Sequence, residues 1–180
     1  MITAAAGHIR EWICCASEKW EKTGKENDMA EQLNEEIKAL LQDKETVKAV
    51  ATISPEGIPH VVYKGSLHAD AAGNLVIYEI LESSANNRNL VYSIWYDKKV
   101  AVNLLGKNGE SYEIVGKPLR SITAGKEFEA TYEAVRQRLG DVDLGAVWII
   151  EPVQIKNETF AVRVEEDEKK YPILKHLDRV

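Results

Sequence analysis

The hydrophobic positions of this chain change period along its length, and each change marks a different kind of element. Ile9, Trp12, Ile13, Ala16 and Trp20 recur at helical spacing, which predicts an amphipathic helix over residues 5–22. Thr23 to Asn27 is polar, contains Gly24 and reads as a linker. Asp28 with Glu31 has the form of a capping box, with Asp in place of Ser or Thr. Met29, Leu33, Ile37, Leu40 and Leu41 then predict a second helix. From residue 47 the period falls to two, with strands expected at 47–53, 59–67, 74–81, 99–105, 111–120, 145–151 and 158–164. Two helices interrupt them. One spans 86–96, with Leu90, Val91, Ile94 and Trp95 apolar; the other spans 126–139, with Phe128, Tyr132, Val135 and Leu139 on one face and Gly140 to end it.

Turn chemistry joins the strands. Pro55-Glu56-Gly57 separates the first two, Asp70 to Gly73 lies before the third, and Lys107-Asn108-Gly109 makes a strong hairpin signal. Short strands in hairpins, with helices only as insertions, give a mainly β fold: a small antiparallel barrel with flanking helices. Three segments are expected: residues 1–28 as an N-terminal helical extension, 29–165 as the barrel domain, and 166–180 as a C-terminal tail. The charged run Glu165 to Lys170 reads as a solvated linker.

Composition narrows the function classes. A chain of 180 residues supports one domain that buries roughly 70% of the surface its unfolded form exposes. The net charge of −6 argues against nucleic acid or anionic membrane as a partner. Adjacent Cys14 and Cys15 offer no disulfide framework, and Arg10 and Glu11 break the apolar stretch near the start. The expected location is the cytoplasm, with no membrane span. His8, His60, His68 and His176 are scattered, so no metal site is expected.

The candidate chemistry lies in Leu81 to Leu90, where an apolar strand gives way to Ser83, Ser84, Asn86, Asn87 and Arg88 at the start of a helix. Free backbone N–H groups, hydroxyls and one guanidinium there suit an anion. Each residue also has a plainer use. Ser83 and Ser84 are natural helix caps, Arg88 has Glu82 and Asp97 as alternative partners, and Trp95 and Tyr96 suit a core or dimer contact. The sequence alone leaves both uses open.

Several segments in order resemble the FMN-binding split-barrel family that includes pyridoxamine 5′-phosphate oxidase. They are Ala51-Thr52-Ile53, Pro55 to Val62, Gly73 to Tyr78, Ser83 to Leu90, Lys99 to Val102 and the strand through Tyr112 to Gly116, within residues 33–164. The resemblance implies a six-stranded antiparallel split β-barrel that forms a homodimer, with FMN in grooves between the subunits. It places His60, Val61, Val62, Tyr63 and Lys64 along the flavin and ribityl chain. Ser83, Ser84, Asn86, Asn87 and Arg88 fall at the phosphate. In many relatives a lysine follows the serine region by about two residues; here Asn86 stands there, so the cation has to be Arg88 or Lys64. The implied activity is an FMN-dependent oxidoreductase acting on a small molecule. The basic C-terminal substrate segment of the oxidase itself is not evident in His176 to Arg179, so turnover of B6 phosphates is not expected. Two rivals remain: a haem- or deazaflavin-binding barrel, with His60 or His176 as axial ligand for haem, and a dimeric binding module with no cofactor.

Overall fold

The structure is a computed structural model that describes residues 30–171. The expected helix over 5–22, the Asp28 cap and His176 lie outside these residues. Seven strands are present: β1 (Val47–Ile53), β2 (Pro59–Tyr63), β3 (His68–Ala69), β4 (Leu75–Glu79), β5 (Val100–Leu105), β6 (Ser111–Ile122) and β7 (Ala146–Asn157). Four helices accompany them: α1 (Glu35–Gln42), α2 (Ala85–Trp95), α3 (Lys126–Leu139) and α4 (Phe160–Lys170). The strands form one curled antiparallel sheet in the order β2-β1-β5-β6-β7-β4-β3.

Local chemistry accounts for most of these elements. In the β1–β2 turn, Gly57 takes φ +79° and donates its N–H to the Ser54 carbonyl at 2.9 Å, a conformation costly for residues with a Cβ. Asp70 Oδ1 accepts from the N–H groups of Ala72 and Asn74, each at 2.8 Å, and fixes the next turn.

Two apolar layers hold the sheet. Ile37 and Leu41 of α1 and Leu90 of α2 pack with Val50, Val102, Leu104, Ile114, Ile77, Trp148 and Ile150 on the inner face. On the opposite face, Val76, Val147, Ile149 and Ile122 pack with Phe128 and Tyr132 of α3. β4 and β7 are therefore covered on both sides, which explains the unbroken apolar run Val147 to Ile150 in place of alternation. No described helix is long and apolar enough to cross a membrane.

Three expectations are corrected. The strand expected at 59–67 stops at Tyr63, because the chain turns at Lys64 to Leu67, where the Leu67 N–H donates to the Lys64 carbonyl, and a short β3 follows the turn. That gives seven strands where the resemblance implies six. The second helix begins at Glu35, not near 29, with Asn34 Oδ1 capping the Ile37 N–H at 2.8 Å. Residues 158–164 are not a strand. β7 runs on to Asn157, and Phe160 to Lys170 is helical, so Glu165 to Lys170 is no linker.

Candidate functional site

Strand alternation sends His60 and Val62 of β2 toward the inner side, both partly buried, and leaves Pro59, Val61 and Tyr63 exposed; Lys64, just past the strand end, is partly buried as well. In β4 the same period puts Glu79 on the inner face after Leu75 and Ile77. Glu79 is 1% exposed. Its carboxylate pairs with Lys64 Nζ at 2.6 Å and accepts from Ser84 Oγ at 2.9 Å and Asn86 Nδ2 at 2.5 Å. A charge this deep in the fold is tolerated only when paired and hydrogen-bonded, and here one cation and two donors meet it.

This arrangement sorts the predicted anion-binding residues into two groups. Ser84 is the cap of α2, accepting from the Asn87 N–H at 3.0 Å while it donates to Glu79. Asn86 is buried on Glu79, with its Oδ1 lacking a partner among the described residues. Asn87 donates to the Glu82 carbonyl at 2.8 Å and accepts from Trp148 Nε1 at 2.8 Å, which ties the helix entrance to the core. Lys64 is spent on Glu79. Ser83 and Arg88 are exposed, and their side chains make no hydrogen bond or ion pair among the described residues. Neither alternative partner holds Arg88, for Asp97 instead pairs with Lys117 at 2.9 Å. The Ser54 hydroxyl and a backbone N–H hold the Glu56 carboxyl below its ordinary value, and the Arg88 charge adds to this at longer range.

The first turns of α2 lie against β1. Asn89 Nδ2 donates to Thr52 Oγ1 at 3.0 Å, and Thr52 pairs in register with His60. Beside this lies an apolar surface that no described residue covers. Ile58, Val61 and Tyr63 are 63%, 62% and 74% exposed. The outer face continues across β1, β5 and β6, where Ala51, Ile53, Ala101 and Val115 line a shallow groove flanked by Lys98 and Lys99.

No protein-family model matches the sequence. No curated protein matches it either. Solved structures do match. HupZ of Group A Streptococcus shares 22% identity over 72% of this chain and 96% of its own, with a TM-score of 0.60. An FMN-binding protein from Syntrophomonas wolfei shares 12% over 84% of this chain and 94% of its own, with a TM-score of 0.56. A putative pyridoxamine 5′-phosphate oxidase from Listeria innocua shares 20% over 69% of this chain and 96% of its own, with a TM-score of 0.51. The fold is the split barrel of the pyridoxamine 5′-phosphate oxidase-like proteins. At these identities the likeness is one of fold.

The split barrel has a further cleft that sequence reasoning missed. It lies where the β2–β3 connection, β4 and the end of α3 meet. It comprises two adjoining hollows of about 520 and 650 Å³ that share Tyr63, Gly65, Ser66, Tyr78 and Arg138. Lys48 lines it, 8% exposed, donating to the carbonyls of Leu41 and Leu67. Burial pushes the Lys48 ammonium below its ordinary value; Asp43 pulls it back up and Arg138 lowers it further. The missed residues carried a signal. Lys48 and Glu79 are charges at core-facing positions of otherwise apolar strands.

Proposed function

We propose that this split barrel is a flavoprotein that binds FMN where two copies of the chain meet and acts as an oxidoreductase on a small molecule. The observation that carries this reading is the uncovered apolar surface of Ile58, Val61 and Tyr63, beside a helix entrance that keeps an unpaired guanidinium and a free hydroxyl. A planar ring suits the former and a phosphate the latter. The FMN-binding protein of the same fold supports it.

The Glu79 cluster changes which residues do the holding. With Lys64, Ser84 and Asn86 committed to Glu79, the phosphate relies on Arg88 and Ser83. A guanidinium can grip two phosphate oxygens at once. Asn87 and Ser84 serve by fixing the helix that presents Arg88. His60, Val61, Val62 and Tyr63 form the strand along the ring. FMN, when bound, supplies the electron or hydride transfer, and the chain supplies binding, orientation and exclusion of water.

The test is titration of apo-protein with FMN, read by the flavin absorption band. Saturable binding is expected, and Arg88→Ala costs about 1–3 kcal/mol, the value of a charge-assisted contact. A protein that never takes up FMN sinks the reading. A Soret band or a deazaflavin spectrum in purified protein turns it to one of the rival cofactors.

A further inference from the structure

We propose that the exposed face of α4 is the docking surface for this chain's own N-terminal segment, residues 5–22, which lies along it as a second helix. The inference does not depend on any bound cofactor.

The first argument is the condition of α4 itself. It has 11 residues and buries none of them. Hydrogen bonds tie its start to β6: Thr159 Oγ1 accepts from the Ser111 N–H at 3.0 Å, and the Glu158 N–H donates to the Ser111 carbonyl at 2.8 Å. Further along, Phe160, Val164 and the capping residue Tyr171 are 80%, 39% and 44% exposed. At 3.6 residues per turn these three share one face, and no described residue covers it. A helix of this length is marginal in water on its own, and the ion pairs along it add little. Its apolar row needs a partner.

The second argument is where the N-terminal segment enters the fold. β4 pairs with β7 only as far as Ile150, which leaves the second half of β7 with a free edge. Glu31 occupies that edge. Its N–H donates to the Pro152 carbonyl at 2.8 Å, and its carboxylate accepts from the Ile155 N–H. Phe160 follows Ile155 by five residues, at most about 17 Å along the chain. Residues 23–30, the linker included, reach about 26 Å when extended. The tether therefore spans the gap, and it holds the segment beside α4 at a high effective concentration. That favours the chain's own segment over a second copy.

The third argument is pattern. Ile9, Ile13, Ala16 and Trp20 recur at i, i+4, i+7 and i+11, with Trp12 beside them. Phe160, Val164, Asp167 and Tyr171 have the same spacing. This is the period with which two helices bury a common seam. The predicted helix is about 27 Å long, enough to cover all of α4 at about 16 Å. Asp167 interrupts the apolar row and has no ion pair among the described residues. Lys19, next to Trp12 on the predicted helix, supplies its cation.

Hydrogen exchange of the full chain, read by peptide mass spectrometry, tests the pairing. Amides of residues 9–20 and of α4 are expected to be protected together. Phe160→Ser, at an exposed position, should speed exchange in residues 9–20 about tenfold. Trp12→Ser should do the same to α4, an effect at a distance that a purely local change in either helix does not produce. Glu165→Gln, which breaks an exposed pair with Lys169 off the seam, should leave residues 9–20 unchanged. Unaltered exchange in β6 and β7 shows that each variant keeps the barrel. Cross-linking of mixed light and heavy-isotope protein should join Lys19 or Lys22 to Lys169 or Lys170 within one label. Unprotected amides in residues 9–20, protection there indifferent to Phe160→Ser, or links between labels overturns the proposal. The flavin reading fails by the absorption titration, so the two outcomes are separable.

Discussion

Lys48 and Glu79 occupy strand positions that face the interior, Lys64 follows directly on β2, and the three charges are kept there by two compensations. Lys64 and Glu79 compensate each other, with side chains 14% and 1% exposed. Removing one partner of such a pair leaves the other buried and uncompensated, so Glu79→Gln should destabilise the fold by about 3 kcal/mol in urea unfolding. The double variant Glu79→Gln with Lys64→Met should recover much of that loss. Tyr112 is a second buried polar group with a measurable signature. Its hydroxyl donates to Glu36 Oε2 at 2.7 Å and accepts from Asn157 Nδ2 at 3.1 Å. Burial, then Glu36, pushes its pKa up from 10.0 to about 12. The folded state thus keeps a proton that the unfolded chain releases, so the Tyr112 contribution is full below pH 10 and fades as the pH rises to about 12. Tyr112→Phe should flatten the fall in stability across that window, read by chemical unfolding at a series of alkaline pH values.

The elements were legible where pattern and turn chemistry agreed. β1 and α3 have the bounds that the periodicity gives, 47–53 and 126–139, and α2 is shifted by one residue. Residues 158–164 misled because Phe160, Val162 and Val164 alternate like a strand, while what decides the segment lies further on. Arg163 pairs with Glu166 at 2.8 Å and Lys169 with Glu165 at 2.6 Å, spacings that only a helix brings together. At the site, Arg88 and Ser83 were legible as exposed polar groups at a helix start. The capture of Ser84, Asn86 and Lys64 was not, since it depends on β2 and β4 approaching without being sheet neighbours. One position in the sheet offers a direct packing test. A Cβ at Gly116 would meet Ile150 Cγ2 beside the register shift between Val115 and Gly116. Gly116→Ala should cost about 1–3 kcal/mol of overpacking strain, measured as a lower urea midpoint with unchanged slope.

At the scale of the whole molecule, the outer face of β2, β1 and β5 has no covering element among the described residues. Ala49, Ala51 and Ala101 on it are only half-buried, and Val61 and Tyr63 stand out from it. Small side chains on a flat sheet let another sheet approach closely, and the proposed dimer gives this face a partner. A specific interface of this kind buries about 1,600 Å² in total. Val61→Glu places a charge at its centre, and sedimentation should show monomers where the unaltered chain forms dimers. If the cofactor sits between copies, the same substitution should also abolish FMN uptake.

The two outermost strands of the sheet, β2 and β3, are not hydrogen-bonded to each other. The gap between them is bridged by the short connection from Lys64 to Leu67 and by the Lys64–Glu79 contact. A ladder of hydrogen bonds frays rung by rung, but a clasp made of two opposite charges is either shut or open. The end of β2 next to that gap is therefore held by a contact that one substitution on either side removes at once.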